Sequence, residues 1–452
     1  MRRRTPARPA LSSSRRRSLG RLLTGGVAAG AASALALGPA AADTPPEDLE
    51  RAESVTGRVS PAEPAAPAPQ VRRGAAVSAA DLAARLDAAA GPLTPGFGGI
   101  VTDTRTGRTV WQHQSTWRRA PASTMKVVTA TTALRTFGSR HRFVTPVSRA
   151  GTNGDYVYLR GVGDPTMSSW RLDSMARSAA WRLKKAGTTS VRLRVDDTLF
   201  PAPTNAPGWE PGDVGRYVTP VRALVRDQSD VSDTSMDAGS YFRSRLEHWG
   251  VDVTHLKRAK THWQAETIAE GTSPQLRDIV GDMLRVSQND YAESLLWAAG
   301  MRAGALRTWS GVTEHSKAMV GGYGVPTDGL TFSDGSGLSR SNRLSARALS
   351  VLLLALYEHP SLSQVIFADD AMPISGRTGT LSNRFGSWPA TCAVGRVRAK
   401  TGSLRDATAL AGVAEGTDGV ERVFVALSHG PDNTATVRHR IDVLAATATT
   451  CT

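Results

Sequence analysis

Ser123 and Lys126 stand three residues apart, Ser287 and Asn289 two apart, and Lys400-Thr401-Gly402 follow as a tripeptide; each pattern occurs once, in that order. A serine hydroxyl is a weak nucleophile until a neighbouring base takes its proton. At the start of a helix, side chains three apart share a face, so the Lys126 amine reaches the Ser123 hydroxyl. The positive end of the helix also favours the charge that develops there. Lysine can serve as that base and arginine cannot, because guanidinium keeps its proton in proteins. Only seven of the 55 basic residues are lysine, yet two of the seven sit in these motifs. The chemistry indicated is nucleophilic acyl transfer. Ser123 would attack, Lys126 would take its proton, Ser287 would return a proton to a leaving amine, and Asn289 would hold the substrate amide. Lys400 offers positive charge, and Thr401 a hydroxyl, to a terminal carboxylate, while Gly402 lets a substrate backbone come close. The backbone N–H groups of Ser123 and Ser403 are the natural oxyanion pair, each such donor lowering a barrier by about 3–4 kcal/mol. Taken singly, the fragments read as helix caps and surface lysines. No G-x-S-x-G elbow competes for the nucleophile's role.

The elements that must position these groups are legible as patterns. A short helix is expected over Ser78–Ala90, then strands Gly98–Asp103 and Thr109–His113 about a turn at Thr104–Gly107. Ser123–Phe137 reads as a helix with Val127, Ala130, Leu134 and Phe137 on one stripe. From about Phe143 to Gln264 the character changes to short strands (Tyr156–Arg160, Val191–Val195) and Gly-Pro breaks without a catalytic motif, as expected of an insertion. Helices over Ser273–Val286 and Asp290–Ala299 flank Ser287, and Leu344–Tyr357 is strongly apolar. Strands Gly395–Ala399, Ala407–Ala414 and Val420–Ser428 and a helix over Asn433–Ala446 complete an α/β sandwich with a helical subdomain.

The chain has 452 residues and a net charge of +15, but residues 1–42 hold eight arginines and no acid, leaving +7 for the rest. Basic Arg2–Arg4 and Arg15–Arg17, a small apolar run from Leu22 to Leu37, and Ala40-Ala41-Ala42 predict a cleavable export signal. Ser14–Leu19 resembles a twin-arginine signal, although an ordinary secretory leader is the preferred reading. The glycine- and alanine-diluted run is short for a membrane span, and no later stretch is long and apolar enough, so no stable span is expected after cleavage. Residues 43–77, rich in Pro and Ala, read as a flexible tether. The absence of basic–aromatic interleaving argues against nucleic acid. Cys392 and Cys451 are expected to pair in an oxidising compartment, and neither has the spacing of a metal site. No metal or cofactor is implied.

Further segments extend the pattern: Leu159–Thr166, Asp196–Phe200, Asp334–Arg340, Gly379-Thr380-Leu381 with Arg384-Phe385, and Arg396–Ala399. With the three motifs, they identify the chain by resemblance as a member of the D-alanyl-D-alanine carboxypeptidase/endopeptidase family, the class C low-molecular-mass penicillin-binding proteins (peptidase family S13). The resemblance implies an α/β fold. A penicillin-binding transpeptidase-like domain, with an antiparallel sheet flanked by helices and a helical subdomain, is interrupted by a smaller inserted domain with strands. The boundaries expected are a signal at 1–42, a tether at 43–77, the peptidase domain at 78–145 and 266–452, and the insert at 146–265. It further implies an exported serine D-Ala-D-Ala carboxypeptidase acting on peptidoglycan stem peptides, with cleavage of cross-links as a second activity and β-lactams as acylating inhibitors. Arg340 would meet a substrate side-chain carboxylate, or else brace its glycine-rich loop. Three departures stand out: Ser287-Gln288-Asn289 in place of S-D-N or S-N-N, a shortened insert, and Thr378 where relatives often carry aspartate. The rival readings are a serine β-lactamase, a transpeptidase sharing every residue named, and a wall-binding scaffold without turnover.

Overall fold

Between residues 397 and 429 apolar side chains fall at both strand parities, the pattern of strands covered on two faces. In the computed structural model, which describes residues 77–93, 95–151, 155–430 and 435–452, these strands lie within a sheet between two helical layers. The described residues belong to one compact unit, Gln70–Thr452. The expected leader over 1–42 and, save Val77, the tether over 43–77 lie outside them.

The chain opens with α1 (Ala79–Ala90), β1 (Phe97–Asp103), β2 (Thr109–His113), β3 (Arg118–Arg119) and α2 (Met125–Phe137). Then come β4 (Val144–Ala150), β5 (Tyr156–Arg160), α3 (Ser169–Lys185), β6 (Ser190–Asp196), α4 (Thr234–His248), β7 (Asp252–Arg258) and β8 (Glu266–Thr272). Helices α5 (Leu276–Arg285), α6 (Asn289–Arg302) and α7 (Trp309–Gly321) follow, with β9 (Leu344–Ser345), α8 (Ala346–Glu358) and α9 (Pro360–Ile366). Strands β10 (Val397–Leu404), β11 (Ala407–Glu415) and β12 (Glu421–His429) and helix α10 (Ala435–Ala448) end the chain.

The main sheet runs β10-β11-β12-β1-β2, antiparallel throughout. Strand alternation sorts its side chains into two cores. Ala409, Ala411, Val423, Val425 and Leu427 face the helical layer of α2, α5, α6 and α8. Leu410, Ala414, Phe424 and Ala426 face α1 and α10, with Leu82, Leu86, Ile441 and Leu444. Helix α1 begins where Ser78 accepts the Asp81 amide at 3.1 Å, an N-cap. Arg384 fixes α10 through two hydrogen bonds to the buried Asp442 carboxylate, 2.7 and 2.9 Å. A disulfide joins Cys392 to Cys451, 59 residues apart.

The second sheet, β7-β6-β5-β4-β8, mixes parallel pairs (β5, β6, β7) with antiparallel ones (β4 with β5 and β8). Helices α3 and α4 pack on one face through Leu172, Leu183, Phe242 and Leu246. The sequence reading of residues 146–265 saw only the strands and missed these helices of 17 and 15 residues. In α3 half of the inward face is alanine (Ala176, Ala179, Ala180), which dilutes the signal of Leu172, Met175 and Leu183 beside its many charges.

A second correction concerns the strand before Lys400. It was expected to end at Ala399, but β10 runs on through Lys400-Thr401-Gly402 to Leu404, with Lys400 opposite Ala411 and Gly402 opposite Ala409. Because pairing with β11 continues, the tripeptide lies inside a strand. Gly402 is required there by the chain itself: a Cβ would meet the Pro121 carbonyl at 2.9 Å and the Ala122 Cβ at 3.0 Å.

Replacing Cys392 by Ser should lower unfolding stability by about 2–4 kcal/mol, since the cross-link closes a long loop in the unfolded chain. Denaturant titration of both proteins with and without reductant checks this. The difference should vanish when the parent is reduced.

Candidate active site

Pro121–Thr124 forms a tight 3₁₀ turn that leads into α2, and Ser123 sits in it. Ala122, immediately before, holds φ +46°, a left-handed conformation that costs a non-glycine residue about 1–2 kcal/mol. The turn is held down by Thr124, whose hydroxyl donates to the Pro121 carbonyl at 2.6 Å. Gly337 packs on the same turn; a Cβ there would lie 1.9 Å from the Ala122 carbonyl oxygen. Only glycine, which also bears φ +83° here, lets the 334–340 loop come this close.

One turn beyond Ser123, in the first turn of α2, Lys126 is wholly buried. Its Nζ donates to Asn289 Oδ1 at 2.7 Å and to the Ser336 carbonyl at 2.9 Å, and lies 3.1 Å from Ser123 Oγ. A neutral amine has two N–H donors and one lone pair. The two carbonyl oxygens use the donors, which leaves the lone pair for the Ser123 hydroxyl. Burial pushes the Lys126 pKa down to about 8, against the opposing attraction of Glu293, Asp334 and Asp290. The shift brings the free amine within reach near neutral pH, where a lysine of ordinary pKa stays protonated.

A second serine–lysine pair stands beside the first. Lys400, also fully buried, donates to Ser287 Oγ and to the Thr401 carbonyl, both at 2.9 Å. Burial, reinforced by the charge of Lys126, holds its pKa well below the ordinary lysine range. Ser287 adopts φ +64° between α5 and α6, and Asn289 begins α6. Asn289 is thereby turned toward α2, and its Nδ2 donates to the Tyr217 carbonyl at 2.8 Å. Thr401 shares a 2.7 Å hydroxyl contact with Thr380, while Thr378 Oγ1 accepts the Ile374 amide at 3.0 Å. The threonine that departs from the family pattern thus pins the segment that supports Thr401.

Several supporting residues escaped the sequence reading. Glu293, one turn beyond Asn289, is fully buried and accepts the Gly335 and Ser336 amides at 2.9 and 2.8 Å. Burial and the nearby Asp334 push its carboxyl up to about 8, opposed by those two N–H donors. Asp334 gathers the loop around itself, accepting from the Gly337 and Ser339 amides, Asn342 Nδ2 and Trp209 Nε1 at 2.6–2.9 Å. An acid set between Tyr291-Ala292 and the apolar Leu295-Leu296-Trp297 was the available sign of Glu293. Trp209, Tyr217 and Thr219 gave none, although Thr219 caps Asp290 through its amide and hydroxyl at 2.8 and 2.6 Å.

A cleft of about 510 Å³ opens over Ser123, lined by Tyr217, Asn289, Leu338, Arg340, Ser403 and Arg405. Its rim carries both signs: Arg340 Nε lies 3.5 Å from Glu210 and 3.9 Å from Asp406, and Arg405 lies 3.3 Å from Glu210. Arg340 also donates to the Leu338 carbonyl at 2.9 Å, so it braces its own loop while facing the cleft. Among the described residues no cluster of His, Cys, Asp or Glu is placed to hold a metal ion.

The chain resembles known proteins in sequence and in fold. A model of the D-Ala-D-Ala carboxypeptidase 3 (S13) family matches residues 79–232 and 227–449. Carboxypeptidase DacB of Mycolicibacterium smegmatis is 32% identical over 416 residues, covering 87% of both chains. A D-alanyl-D-alanine carboxypeptidase of Actinomadura sp. is 29% identical over 427 residues, 74% of this chain and 77% of that one. The crystal structure of penicillin binding protein 4 from Haemophilus influenzae matches with a TM-score of 0.69 at 21% identity, covering 82% of this chain and 98% of that one. The same fold is therefore present here.

Two outcomes are expected at this site. Lys126→Arg keeps a cation but no titratable amine, and should lower acylation by about a thousandfold or more, measured as the rate of covalent capture of a β-lactam. In the parent, kcat/KM should rise with pH and level off above about 8, as Lys126 gives up its proton; a flat profile from pH 6 to 9, in rough terms, would contradict this assignment.

Proposed function

The chain belongs to the D-Ala-D-Ala carboxypeptidase (S13) family, and we propose that it removes the terminal D-alanine from peptidoglycan stem peptides through an acyl-enzyme on Ser123. The observation that carries the reading is the hydrogen-bonded set Ser123–Lys126–Asn289 with Lys400–Ser287 beside it.

Ser123 Oγ attacks the penultimate D-alanine carbonyl while its proton passes to Lys126 Nζ. The Ser123 and Ser403 amides receive the developing oxyanion. Collapse expels D-alanine, whose amine takes a proton by way of Ser287, held by Lys400. Water then repeats the sequence on the ester and frees Ser123. Lys400 and Thr401 bias the site toward a substrate ending in a carboxylate. The mixed rim of Arg340, Arg405, Glu210 and Asp406 suits a stem-peptide side chain bearing charge, and cleavage of cross-linked peptides needs only a longer leaving group in the same cleft. The Haemophilus protein has been solved with a β-lactam, which supports the expectation that such compounds acylate Ser123. The basic and apolar residues before Asp43 support action outside the cytoplasm.

Glu293 argues against a β-lactamase. It is fully buried beneath the 334–340 loop, accepting two backbone amides, and does not line the cleft over Ser123, so it is not placed to activate a water for rapid deacylation.

The mature protein should release D-alanine from a D-Ala-D-Ala peptide, while Ser123→Ala should release roughly a thousandfold less. Penicillin should add one stable acyl mass to the parent and none to the variant. Equal release by the two proteins, or rapid loss of the adduct, would refute the proposal.

A further inference from the structure

Helix α3 turns a face to solvent that its own fold does not use. Leu172, Ala176, Ala179 and Leu183 fix its inward side. At 3.6 residues per turn, Trp170, Arg177, Trp181, Lys184 and Lys185 fall on the opposite stripe. Trp170 is 78% exposed and Trp181 60%. Eleven residues separate them, so both indoles leave the helix along one line, about 16 Å apart. Lys185 Nζ lies 5.1 Å from the Trp181 ring centroid. Asp173 is the helix's one carboxylate, and it is turned toward α4, where it accepts Arg245 Nε and, at 2.9 Å, Trp249 Nε1. Arg177, at the edge of the stripe, stacks on the Trp249 ring at 5.2 Å; the stripe itself pairs two exposed indoles with basic groups and carries no acid of α3.

An indole has an apolar body and one N–H, the combination that settles between hydrocarbon and water, and basic side chains around it attract anionic headgroups. The stripe is the convex flank of a helix held in place by its own core. Such a shape meets a flat surface, whereas a polymer chain would be gripped by a groove. From this charge complementarity and shape, we propose that the Trp170–Lys185 face of α3 docks the protein peripherally on an anionic lipid surface. The rings would dip into the headgroup layer while the helix remains packed on its sheet.

The proposal stands apart from the acyl-transfer reading and is tested with the full mature chain. It should co-sediment with vesicles of equal phosphatidylglycerol and phosphatidylcholine, less so as salt rises, and not with phosphatidylcholine alone. Trp170→Ala with Trp181→Ala, and separately Arg177→Glu with Lys184→Glu and Lys185→Glu, should each weaken binding about tenfold or more. Both variants should acylate with penicillin at the parent rate, which shows that they are folded and that the catalytic site is independent. Parent-like vesicle binding by these active variants would overturn the proposal. So would equal binding to neutral vesicles, or binding of soluble polyphosphate or nucleic acid through this face without vesicle binding.

Discussion

A fully buried amine must find hydrogen-bond partners, and Lys126 finds them on three segments distant in sequence. Its own turn supplies the Ser123 hydroxyl, α6 supplies the Asn289 carboxamide, and the 334–340 loop supplies the Ser336 carbonyl. Losing any one would strand a polar group in an apolar layer. The same demand for satisfied hydrogen bonds therefore fixes the fold locally and sets the amine's proton affinity. Lys126 Nζ is satisfied by neutral oxygens, and Glu293 and Asp334 bond elsewhere. Their oxygens are spent on the backbone of the loop that presents Ser336.

The sheet's second contribution follows from its register. By running unbroken from Val397 to Leu404, β10 places Lys400 on the face that looks toward α2 and α6, where it meets Ser287. Two serine–lysine pairs thus lie together. The left-handed backbone at Ala122 and Ser287 is stored strain of the kind that persists only where surrounding contacts over-determine it. Here the packing of Gly337 and Gly402 against the Pro121–Ala122 carbonyls supplies that constraint.

The segment carrying the second sheet is bound into the site, although none of the three motifs lies in it. Trp209, Tyr217 and Thr219 reach Asp334, Asn289 and Asp290 respectively. The orientation of Asn289 is consequently shared between the two parts of the chain, while α3, on that same segment, turns the exposed Trp170 and Trp181 to solvent.

The acyl-transfer residues were legible because their chemistry demands particular side chains at short, local spacings. A base one helical turn from a serine is a feature of sequence as much as of structure. Strands β11 and β12 were equally visible, since a core on both faces leaves apolar residues at both parities. The weakly apolar helix α3 was hidden, and so was the continuation of β10 through Gly402, because pairing with a neighbouring strand overrides local propensity. Tertiary structure alone decided that Glu293 and Asp334 clamp the loop beneath Lys126 and that Tyr217 steadies Asn289. These contacts join residues far apart in the chain, and no local pattern records which buried donor meets which acceptor once the layers close.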